Sequence, residues 1–311
     1  VFQGTSFAGS AAGGSLSAMF WNSAAAAAAP GGLSFDSNYA AIIARSEIAA
    51  DPGSTLLALG AGSGDIAKDA VVPASYSAYR LDQNTVLALG INSPFGLVTE
   101  PPRDSWAGQT FARTSAVATY NFNPTLAYRL TPSLAVGGGV QIEYIKATLK
   151  QASGALASSP DLAIIGDDIG VGFTLGVTWT PASGTALGLG FRSAIEHTLK
   201  GNINIPASAV ALASQETPIK ADLTLPEIVT LSLRQAIDPR LTLLGSVEWT
   251  NWSRLDKLDI VCSGQANPVF CAAGSGQIVR TLQLGWHDGW MFSLGGEYAH
   301  SPQLTLRAGA A

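Results

Sequence analysis

Large apolar residues alternate with small ones along the segment from Gly170 to Ser193. Up to Trp179 the odd-numbered positions hold valine, phenylalanine, leucine or tryptophan, whereas the even-numbered positions hold only glycine or threonine. A period of two residues is that of a β-strand, whose successive side chains point to opposite faces of a sheet. The pattern therefore predicts strands with one bulky apolar face and one face of small residues.

The same alternation recurs along most of the chain after residue 31. It is clearest in four further segments, 134–146, 223–235, 241–249 and 292–298. Burying an unpaired charge in an apolar core is strongly unfavourable, so the small-residue face is not expected to be the core of an ordinary sheet. This inference rests on seven charged residues that fall on that face: Arg129, Glu143, Arg192, Arg234, Glu248, Glu297 and Arg307.

The composition is that of a membrane protein without membrane-spanning helices. Hydrophobic residues make up 47% of the 311 residues and charged residues only 13%, about half of the quarter that is usual in soluble domains. A transmembrane helix needs about 20 mainly apolar residues, and the longest small or apolar run, 24–33, is shorter. A closed β-barrel can cross a bilayer without helices; on composition alone, a large hydrophobic soluble β-sandwich also remains open. The net charge of −5 without a basic stripe argues against nucleic acid as a partner.

Connection lengths separate these two architectures. Five tight turns carry the Pro, Asp, Asn or Ser residues that such turns require: 81–84, 130–133, 180–185, 237–240 and 300–303. Between them lie five long connections: 49–73, 99–113, 150–168, 199–221 and 254–278. Short turns at one edge and long loops at the other are typical of bacterial outer-membrane barrels. The sequence therefore predicts an all-β transmembrane antiparallel β-barrel in the outer membrane of a Gram-negative cell, with the bulky face toward lipid and the small face toward the lumen.

About eleven strands are predicted: 32–48, 72–81, 84–98, 114–130, 133–149, 168–180, 185–198, 222–236, 240–254, 279–299 and 303–311. Bacterial single-chain barrels have an even number of strands. The last predicted strand also stops at Ala311 without the aromatic residue that commonly closes such barrels. We therefore expect C-terminal strands that this sequence lacks.

The first 31 residues differ from the rest of the chain. They are rich in alanine, glycine and serine, show no alternation and carry no charge. They also lack the basic start of a signal peptide, so the mature form of an exported protein is expected. Because small residues pack closely, we predict that 1–31 forms an N-terminal hatch, a plug in the lumen of a barrel formed by 32–311.

Five passages of the sequence form a set by their order and spacing. They are FAGSAAGGSLSAMFWNSAA (7–25), INSPFGLVTE (91–100), FNPTLAYRLTPSLAVGGGVQIEYIKATL (122–149), LPEIVTLSLRQAIDPRLTLLGSVEWTNWSRLDKL (225–258) and GGEYAHSPQLTLRAGAA (295–311). Together they resemble the FadL family of outer-membrane transporters for long-chain fatty acids and aromatic hydrocarbons. The resemblance implies a 14-stranded barrel that carries hydrophobic molecules passively, without cofactor, metal or enzymatic activity. It also implies that Phe20, Trp21, Asn22, Ser23 and Ala24 belong to the hatch, with Ser23 standing where the family has proline.

The third predicted strand is interrupted at Asn92, Ser93, Pro94, Phe95 and Gly96. Proline removes a donor from the ladder, and glycine permits backbone angles that other residues avoid. From these residues alone, a strand that simply runs into a loop remains an alternative. The resemblance implies a kink that opens a lateral gap, through which an apolar substrate leaves the lumen for the outer-membrane lipid.

Apolar residues in two predicted loops are candidates for substrate capture: Leu156, Leu162, Ile164, Ile165, Ile203, Ile205, Val210 and Leu212. Exposed apolar clusters often mark binding surfaces, and the resemblance implies a hydrophobic groove here. Packing among themselves to cover the mouth of the barrel is the alternative. If the substrate is a fatty acid, a lumen cation should meet its carboxylate, and the candidates are Arg129, Lys146, Arg192, Arg234 and Arg307.

Other site chemistry is sparse in this sequence. Cys262 and Cys271 are nine residues apart in a polar segment, which favours a disulfide in an oxidising compartment over two free thiols. We expect a monomer that takes up long-chain fatty acids or other apolar small molecules. A channel for monoaromatic hydrocarbons is the alternative in the same architecture, and an adhesin or structural barrel is the alternative of another class.

Overall fold

The structure, a computed structural model, describes residues 2–49, 51, 53, 55, 62–102, 106–156, 158–207, 215–265 and 271–311. Its strands are β1 (Leu33–Ile42), β2 (Ala70–Arg80), β3 (Thr85–Asn92), β4 (Gly96–Thr99), β5 (Thr114–Thr131), β6 (Leu134–Ala152), β7 (Asp161–Ala182), β8 (Thr185–Arg192), β9 (Ile195–Ile205), β10 (Gln215–Leu225), β11 (Ile228–Ala236), β12 (Leu241–Thr250), β13 (Lys257–Cys262), β14 (Ile278–Gln283), β15 (Gly289–Ser301) and β16 (Leu304–Ala310). No helix in the described part of the chain is long and apolar enough to cross a membrane.

All strands belong to one antiparallel sheet, whose main path runs β1-β2-β3-β5-β6-β7-β8-β11-β12-β15-β16. The short strands β4, β9, β10, β13 and β14 extend members of this path beyond an interruption. Each pair β3/β4, β8/β9, β10/β11, β12/β13 and β14/β15 is therefore one longer strand with a break. Counted this way, the described residues contain the eleven strands that the alternation predicts.

The two faces of the sheet are the reverse of those in a soluble protein. Phe173 and Leu175 are about half exposed, whereas Thr174 between them is buried. On β6, Glu143 is fully buried while its neighbour Ile142 is exposed. Bulky apolar side chains thus cover the outer surface, and small or polar side chains fill the inside.

Tight turns join strands at one edge of the sheet, as predicted. Asp238 in the turn between β11 and β12 accepts hydrogen bonds from the backbone N–H groups of Arg240 (2.7 Å) and Leu241 (2.8 Å). These bonds hold the pKa of Asp238 below its ordinary value. In the turn between β2 and β3, Asp82 likewise accepts hydrogen bonds from the backbone N–H groups of Asn84 and Thr85. An aspartate at the start of a tight turn satisfies backbone donors that no strand can reach.

The predicted connections 150–168 and 199–221 are largely strand. β7 begins at Asp161, and β9 and β10 form a hairpin whose register runs from Leu225↔Ile195 to Gln215↔Ile205. Alternation in fact continues into these segments, because Leu199 and Ile203 are buried while Lys200 between them is exposed. The strands therefore project beyond the main sheet at the long-loop edge.

The N-terminal segment forms four 3₁₀ turns, Phe2–Thr5, Ser10–Ala12, Leu16–Phe20 and Ser23–Ala28, which lie on the small-residue face of the sheet. Asn22 donates hydrogen bonds to the backbone oxygens of Ala11 (2.7 Å) and Val177 (2.9 Å). Its Oδ1 accepts from the Ala24 N–H at 2.9 Å, so it caps the last turn. Asn22 therefore ties the segment both to itself and to β7.

Contacts reach this segment from strands along the whole sheet. The Ser17 N–H donates to Asp36 on β1 at 3.0 Å, and the Gly9 N–H donates to Ser246 on β12 at 2.9 Å. A side chain on Gly309 of β16 would collide with the backbone of the first turn. Since one short segment touches the first, the last and the middle strands, the sheet must curl around it.

Glycines on the inner face make this close approach possible. A β-carbon at Gly137 would lie 2.5 Å from the Ala24 nitrogen and the Ser23 carbonyl carbon. Side chains at Gly188 and Gly190 would likewise overlap the backbone of the N-terminal segment. The bare face recognised in the sequence is thus the surface on which another backbone rests.

Gly137→Ala should displace the N-terminal segment, because overpacking of this kind costs about 1–3 kcal/mol. The measurement is protease cleavage within residues 2–29 of the folded protein, located by mass spectrometry. Gly138→Ala is the matched control, since its β-carbon points to the other face and meets Leu175 at an ordinary 3.5 Å. We expect cleavage in the first variant and protection in the second and in the parent chain. Equal protection of both variants would contradict the packing described here.

Candidate functional site

The projecting strands enclose an apolar cluster, called here the upper cluster. It consists of Ile164, Ile203, Ile219, Ala221 and Ile260, all buried. Four partly buried side chains pack around it: Leu149, Leu162, Leu258 and Val279. These residues come from β6, β7, β9, β10, β13 and β14, so all six strands contribute to one core.

The ring of strands around the upper cluster is closed by a polar contact. β14 is the end of the row β6-β7-β9-β10-β13-β14. Arg280 on β14 reaches back to β6 and donates a hydrogen bond from Nη1 to Gln151 Oε1. The upper cluster therefore lies inside a small closed ring of strands above the main sheet.

This closure corrects the prediction of an exposed hydrophobic groove. Ile164 and Ile203 are 8% and 1% exposed, and Leu162 packs against them. Ile165 is only partly buried, and Leu156 is 73% exposed and lies apart from the cluster. Val210 and Leu212 lie outside the described residues, as does the side chain of Ile205. The physical reason is that the predicted loops are strands, whose inward-facing apolar residues pack together.

A second apolar cluster, the lower cluster, continues directly beneath the first. Its buried members are Ile145, Leu199 and Leu225, with Phe95, Val117, Ala147 and Leu223 packed against them. A cavity of about 40 Å³ is lined by members of both clusters, including Ala147 and Leu199. The two clusters thus form one apolar column from the outer ring into the sheet.

Phe95, at the lower end of this column, belongs to the interruption predicted in the third strand. β3 ends at Asn92, opposite Asn121, and β4 begins at Gly96, opposite Ala118. The three residues 93–95 on this strand therefore lie opposite only two residues on β5, 119 and 120. Phe95 also packs edge-to-face against Trp252, with ring centroids 5.7 Å apart.

Thr119 on β5 holds the interrupted segment in place. The Phe95 N–H donates to its hydroxyl at 3.0 Å, and that hydroxyl donates to the Phe95 carbonyl at 2.7 Å. The Ser93 hydroxyl donates to the Thr119 carbonyl at 2.6 Å. Backbone groups that leave the regular ladder at this bulge are satisfied by one buried side chain.

The interruption coincides with a gap in the neighbouring ladder. Pairing between β2 and β3 ends at Ser75↔Ile91 and returns only as a single bridge at Ala67↔Thr99. Between these points the described residues 68–74 and 92–98 make no ladder pairs with each other. The hydrogen-bonded ladder is therefore interrupted between β2 and the β3/β4 strand, beside Phe95.

A row of buried polar side chains, called here the polar row, crosses the inner face just below the column. Asn92, Asn121 and Glu143 lie directly opposite one another on β3, β5 and β6. His197 on β9 places its Nε2 3.6 Å from Glu143 Oε1. All four residues are at most 5% exposed. Sequence reasoning missed this row as a unit, because its members are adjacent only through the register of four separate strands.

Two of the predicted lumen cations contact the N-terminal segment. The buried Arg192 donates to the Phe20 carbonyl at 3.1 Å and to Gln141 Oε1, and its guanidinium lies 4.5 Å from the centre of the Phe20 ring. Arg129 donates to the Ala27 carbonyl at 3.1 Å. Both arginines therefore hold the segment against the sheet.

Two of the other predicted cations share one carboxylate partner, and the third lies on the outer face. Arg234 and Arg307 both pair with Glu297, at 2.6 and 2.8 Å. The prediction that Lys146 lies in the lumen is wrong. Lys146 follows the inward-facing Ile145 and is exposed on the outer face, as Ile142 is. Its place on the strand puts it outside the lumen.

The predicted hatch residues lie together under the polar row. Trp21 contacts the ring of Phe20 at 5.1 Å between centroids, and the Ser23 hydroxyl donates to Thr174 on β7 at 2.7 Å. Ala24 is buried beside Asn22. At the outer ring, Cys262 and Cys271 form a disulfide with 5.9 Å between their Cα atoms. Among the described residues no group of three or more His, Cys, Asp or Glu side chains is placed to hold a metal ion.

Comparison with known proteins identifies the architecture. The sequence model of the family described as outer membrane protein transport protein (OMPP1/FadL/TodX) matches residues 2–311. Outer membrane protein P1 of Haemophilus influenzae is 25% identical, over 81% of this chain and 58% of its own length. The long-chain fatty acid transport protein of Escherichia coli O6:H1 is 24% identical, over 83% of this chain and 63% of its own length. The chain thus spans about three fifths of the length of the curated relatives it matches.

Two solved structures show the same fold. A FadL homologue of Pseudomonas aeruginosa superposes with a TM-score of 0.77 at 20% identity, over 99% of this chain and 78% of its own. The toluene transporter TbuX of Ralstonia pickettii superposes with a TM-score of 0.71 at 16% identity, over 98% of this chain and 84% of its own. These two likenesses confirm the predicted antiparallel barrel. The description of the matching family confirms the predicted outer-membrane location and a family of transport proteins. The chain belongs to the OMPP1/FadL/TodX family of outer-membrane transport proteins.

Proposed function

We propose that this protein carries hydrophobic molecules passively into the outer membrane, through the apolar column and out through the gap beside the third strand. One observation carries the proposal. Phe95 packs at the lower end of the column and also belongs to the interruption, beside which the ladder between β2 and the third strand is missing. An apolar route and a lateral opening therefore meet at one residue.

Entry requires the apolar side chains to separate. The cavity between the clusters has a volume of about 40 Å³, far below the roughly 300–1,000 Å³ of a typical ligand pocket. A substrate chain must replace contacts within the upper and lower clusters, which offer an equally apolar surface. Moving one CH₂ group from water to such surroundings contributes about 0.8 kcal/mol, so the route needs no energy source.

The N-terminal segment supports a sideways rather than a straight route. It lies on the inner face beneath the column, tied by Asn22 to β7 and by Arg192 to the Phe20 carbonyl. We propose that residues 1–31 act as the hatch and close the lumen below the polar row. The gap then leads to the outer-membrane lipid, and because one chain provides the whole path, a monomer suffices.

Long-chain fatty acids are the proposed substrates, and monoaromatic hydrocarbons are the second candidate. The first is supported by the name of the Escherichia coli relative and the second by that of the Ralstonia transporter. The length of the column, built from six strands above the sheet and continuing to Phe95, favours an elongated chain. An adhesin would use the outer ring alone and would not need the gap.

Rebuilding the third strand should abolish uptake. When Pro94 is deleted and Gly96 is replaced by valine, Ser93 and Phe95 lie opposite residues 119 and 120 of β5. This change is designed to restore a regular ladder and to close the proposed gap. The full-length gene would be expressed in cells that lack their own fatty-acid transporter, and uptake of labelled oleate and labelled toluene would be measured. We expect oleate uptake to fall to the empty-vector rate.

Pro124→Val is the matched control, because Pro124 lies on the outer face of β5 opposite Leu89, away from the gap. It should leave uptake unchanged. If the parent protein takes up toluene but not oleate, the proposed route stands and the proposed substrate changes to a monoaromatic hydrocarbon. Uptake of oleate by the rebuilt, folded strand at the parent rate would refute the lateral exit. No uptake of either compound by the folded parent protein would refute transport and direct attention to adhesion by the outer ring.

Thr119→Val should loosen the interrupted segment without changing its shape. The substitution removes the hydroxyl that accepts from the Phe95 N–H at 3.0 Å, and a lost bond of this kind costs about 1 kcal/mol. The Phe95 carbonyl keeps the backbone N–H of Thr119 as a donor at 3.2 Å. Amide hydrogen exchange at Phe95 should accelerate about five- to tenfold. Thr119→Ser keeps a hydroxyl and should exchange at nearly the parent rate. Unchanged exchange in the valine variant would show that the segment is held by other contacts.

A further inference from the structure

We propose that the outer face of the ring of strands around the upper cluster binds phosphate groups of the glycolipid that forms the outer leaflet of the outer membrane. The site is centred on Lys200 of β9 and Lys220 of β10, with Lys146 of β6 nearby. These lysines lie at the edge of the apolar band, share one register and lack carboxylate partners. The site is separate from the transport route, because the three side chains point away from the lumen.

The apolar band on the outer face ends just below these lysines. On β7 every outward-facing side chain from Ile169 to Trp179 is apolar and exposed. The ten steps from residue 169 to residue 179 span about 33 Å along a strand. At a tilt of about 35–45°, this length gives a height of about 25 Å, which is that of the apolar band of outer-membrane barrels. The next outward-facing residue of β7 is Asp167, so Asp167 lies where hydrocarbon gives way to lipid head groups.

The neighbouring strands place the boundary at the same level. On β6 the outward-facing Tyr144 stacks on Tyr120 of β5, with ring centroids 6.5 Å apart. Tyrosine is enriched at membrane–water interfaces. The next outward-facing residue of β6 is Lys146, directly opposite Asp167. Since the long-loop edge of such barrels is extracellular, this boundary faces the outer leaflet.

The register of the ring brings further lysines to the boundary. Asp167 lies opposite Lys200 on β9, and Lys200 lies opposite Lys220 on β10. Lys200 and Lys220 point outward, because the preceding residues Leu199 and Ile219 are buried. Four neighbouring strands thus form one row, called here the lysine row: Lys146, Asp167, Lys200 and Lys220.

Lys200 and Lys220 form a repulsive pair within this row. Side chains directly opposite in an antiparallel ladder have Cβ atoms about 4.5–5.5 Å apart, and like charges at that spacing are destabilising. In the described part of the chain, neither ammonium group forms an ion pair with a carboxylate, and that of Lys146 forms none either. Asp167 alone cannot neutralise three ammonium groups. An anion from outside the chain therefore fits between Lys200 and Lys220.

The surroundings of the pair suit a phosphate attached to a sugar. Asp222, the next outward-facing residue of β10 toward the membrane, accepts a hydrogen bond from the Thr198 hydroxyl at 2.8 Å. On the other side, the next outward-facing residue of β9 is the exposed Asn202. An amide side chain both donates and accepts hydrogen bonds, as binding to a sugar requires.

A phosphorylated glycolipid matches the whole boundary. The outer leaflet of a Gram-negative outer membrane consists of lipopolysaccharide, whose lipid anchor, lipid A, carries phosphates on its sugars directly above its acyl chains. Those chains meet the apolar band below the lysine row, and lysine binds phosphate as a point charge. A phosphate between Lys200 and Lys220 replaces one repulsion by two attractions. Lys146, two strand spacings or about 9.6 Å from Lys200, is placed for a second phosphate of the same molecule.

The test is equilibrium binding of tritiated diphosphorylated lipid A to the full-length protein in maltoside micelles, beside lipid A from which both phosphates have been removed. The folded parent protein should prefer the phosphorylated lipid. A lysine near an anionic lipid surface contributes about a fivefold effect on binding. Lys200→Gln combined with Lys220→Gln should therefore weaken binding of the phosphorylated lipid about 25-fold. Binding of the dephosphorylated lipid should stay within about twofold of the parent.

Lys257→Gln is the matched control, because Lys257 lies on β13 of the same ring but pairs with Asp259 at 3.1 Å. It should bind phosphorylated lipid A as the parent does. Lys200→Arg combined with Lys220→Arg keeps both charges and should retain most of the affinity, which separates a charge effect from misfolding. Equal binding of the two lipids by the folded parent, or parent affinity in the folded double glutamine variant, would overturn the proposal. Oleate uptake is a separate assay, so failure of this site and failure of the transport route are distinguishable.

Discussion

Every backbone N–H and C=O inside a bilayer must have a hydrogen-bond partner within the protein, and the whole structure depends on this constraint. A break in the wall is possible only where side chains replace the ladder. Thr119 does so for Phe95 at the third strand. Ser193 does so between β8 and β9, where its hydroxyl accepts from the Phe173 N–H at 2.8 Å. Small hydroxyl residues thus permit strands to bend while the membrane-facing surface stays apolar.

The same constraint governs the lumen, where the N-terminal backbone must also be satisfied. Asn22 bonds backbone groups of both the segment and β7, and Arg80 donates to the Ala27 carbonyl at 2.7 Å. Such bonds need the two backbones in close contact, which only the glycines of the inner face allow. Seating the N-terminal segment on the inner face and emptying that face of side chains are therefore one structural requirement.

Sequence reasoning predicted the fold because a period of two specifies faces directly, as at Phe173 and Thr174. It was wrong where the same period continued unrecognised, so that Ile203 was assigned to a loop rather than to the buried side of β9. It was also wrong to place Lys146 in the lumen. Lys146 is four residues from Ile142 on the same strand, so the alternation already put both side chains on the outer face. Pro94 and Gly96 indicated the interruption. Pro73, which also lacks a ladder donor, lies among the β2 residues without partners on the third strand, and the sequence reasoning did not use it. The polar row was out of reach, since register between strands joins Asn92 to Asn121 and Glu143.

Asn92 connects the polar row to the interrupted strand. It is the last residue of β3 and the last residue of the polar row, so the row ends where the ladder with β2 is already broken. On the proposed route, a molecule that leaves the apolar column at Phe95 passes this end of the row. Burying an apolar chain against polar groups is unfavourable, so the row marks the lower boundary of the proposed apolar path. The position of that boundary beside the interruption is what favours a sideways route over a straight one.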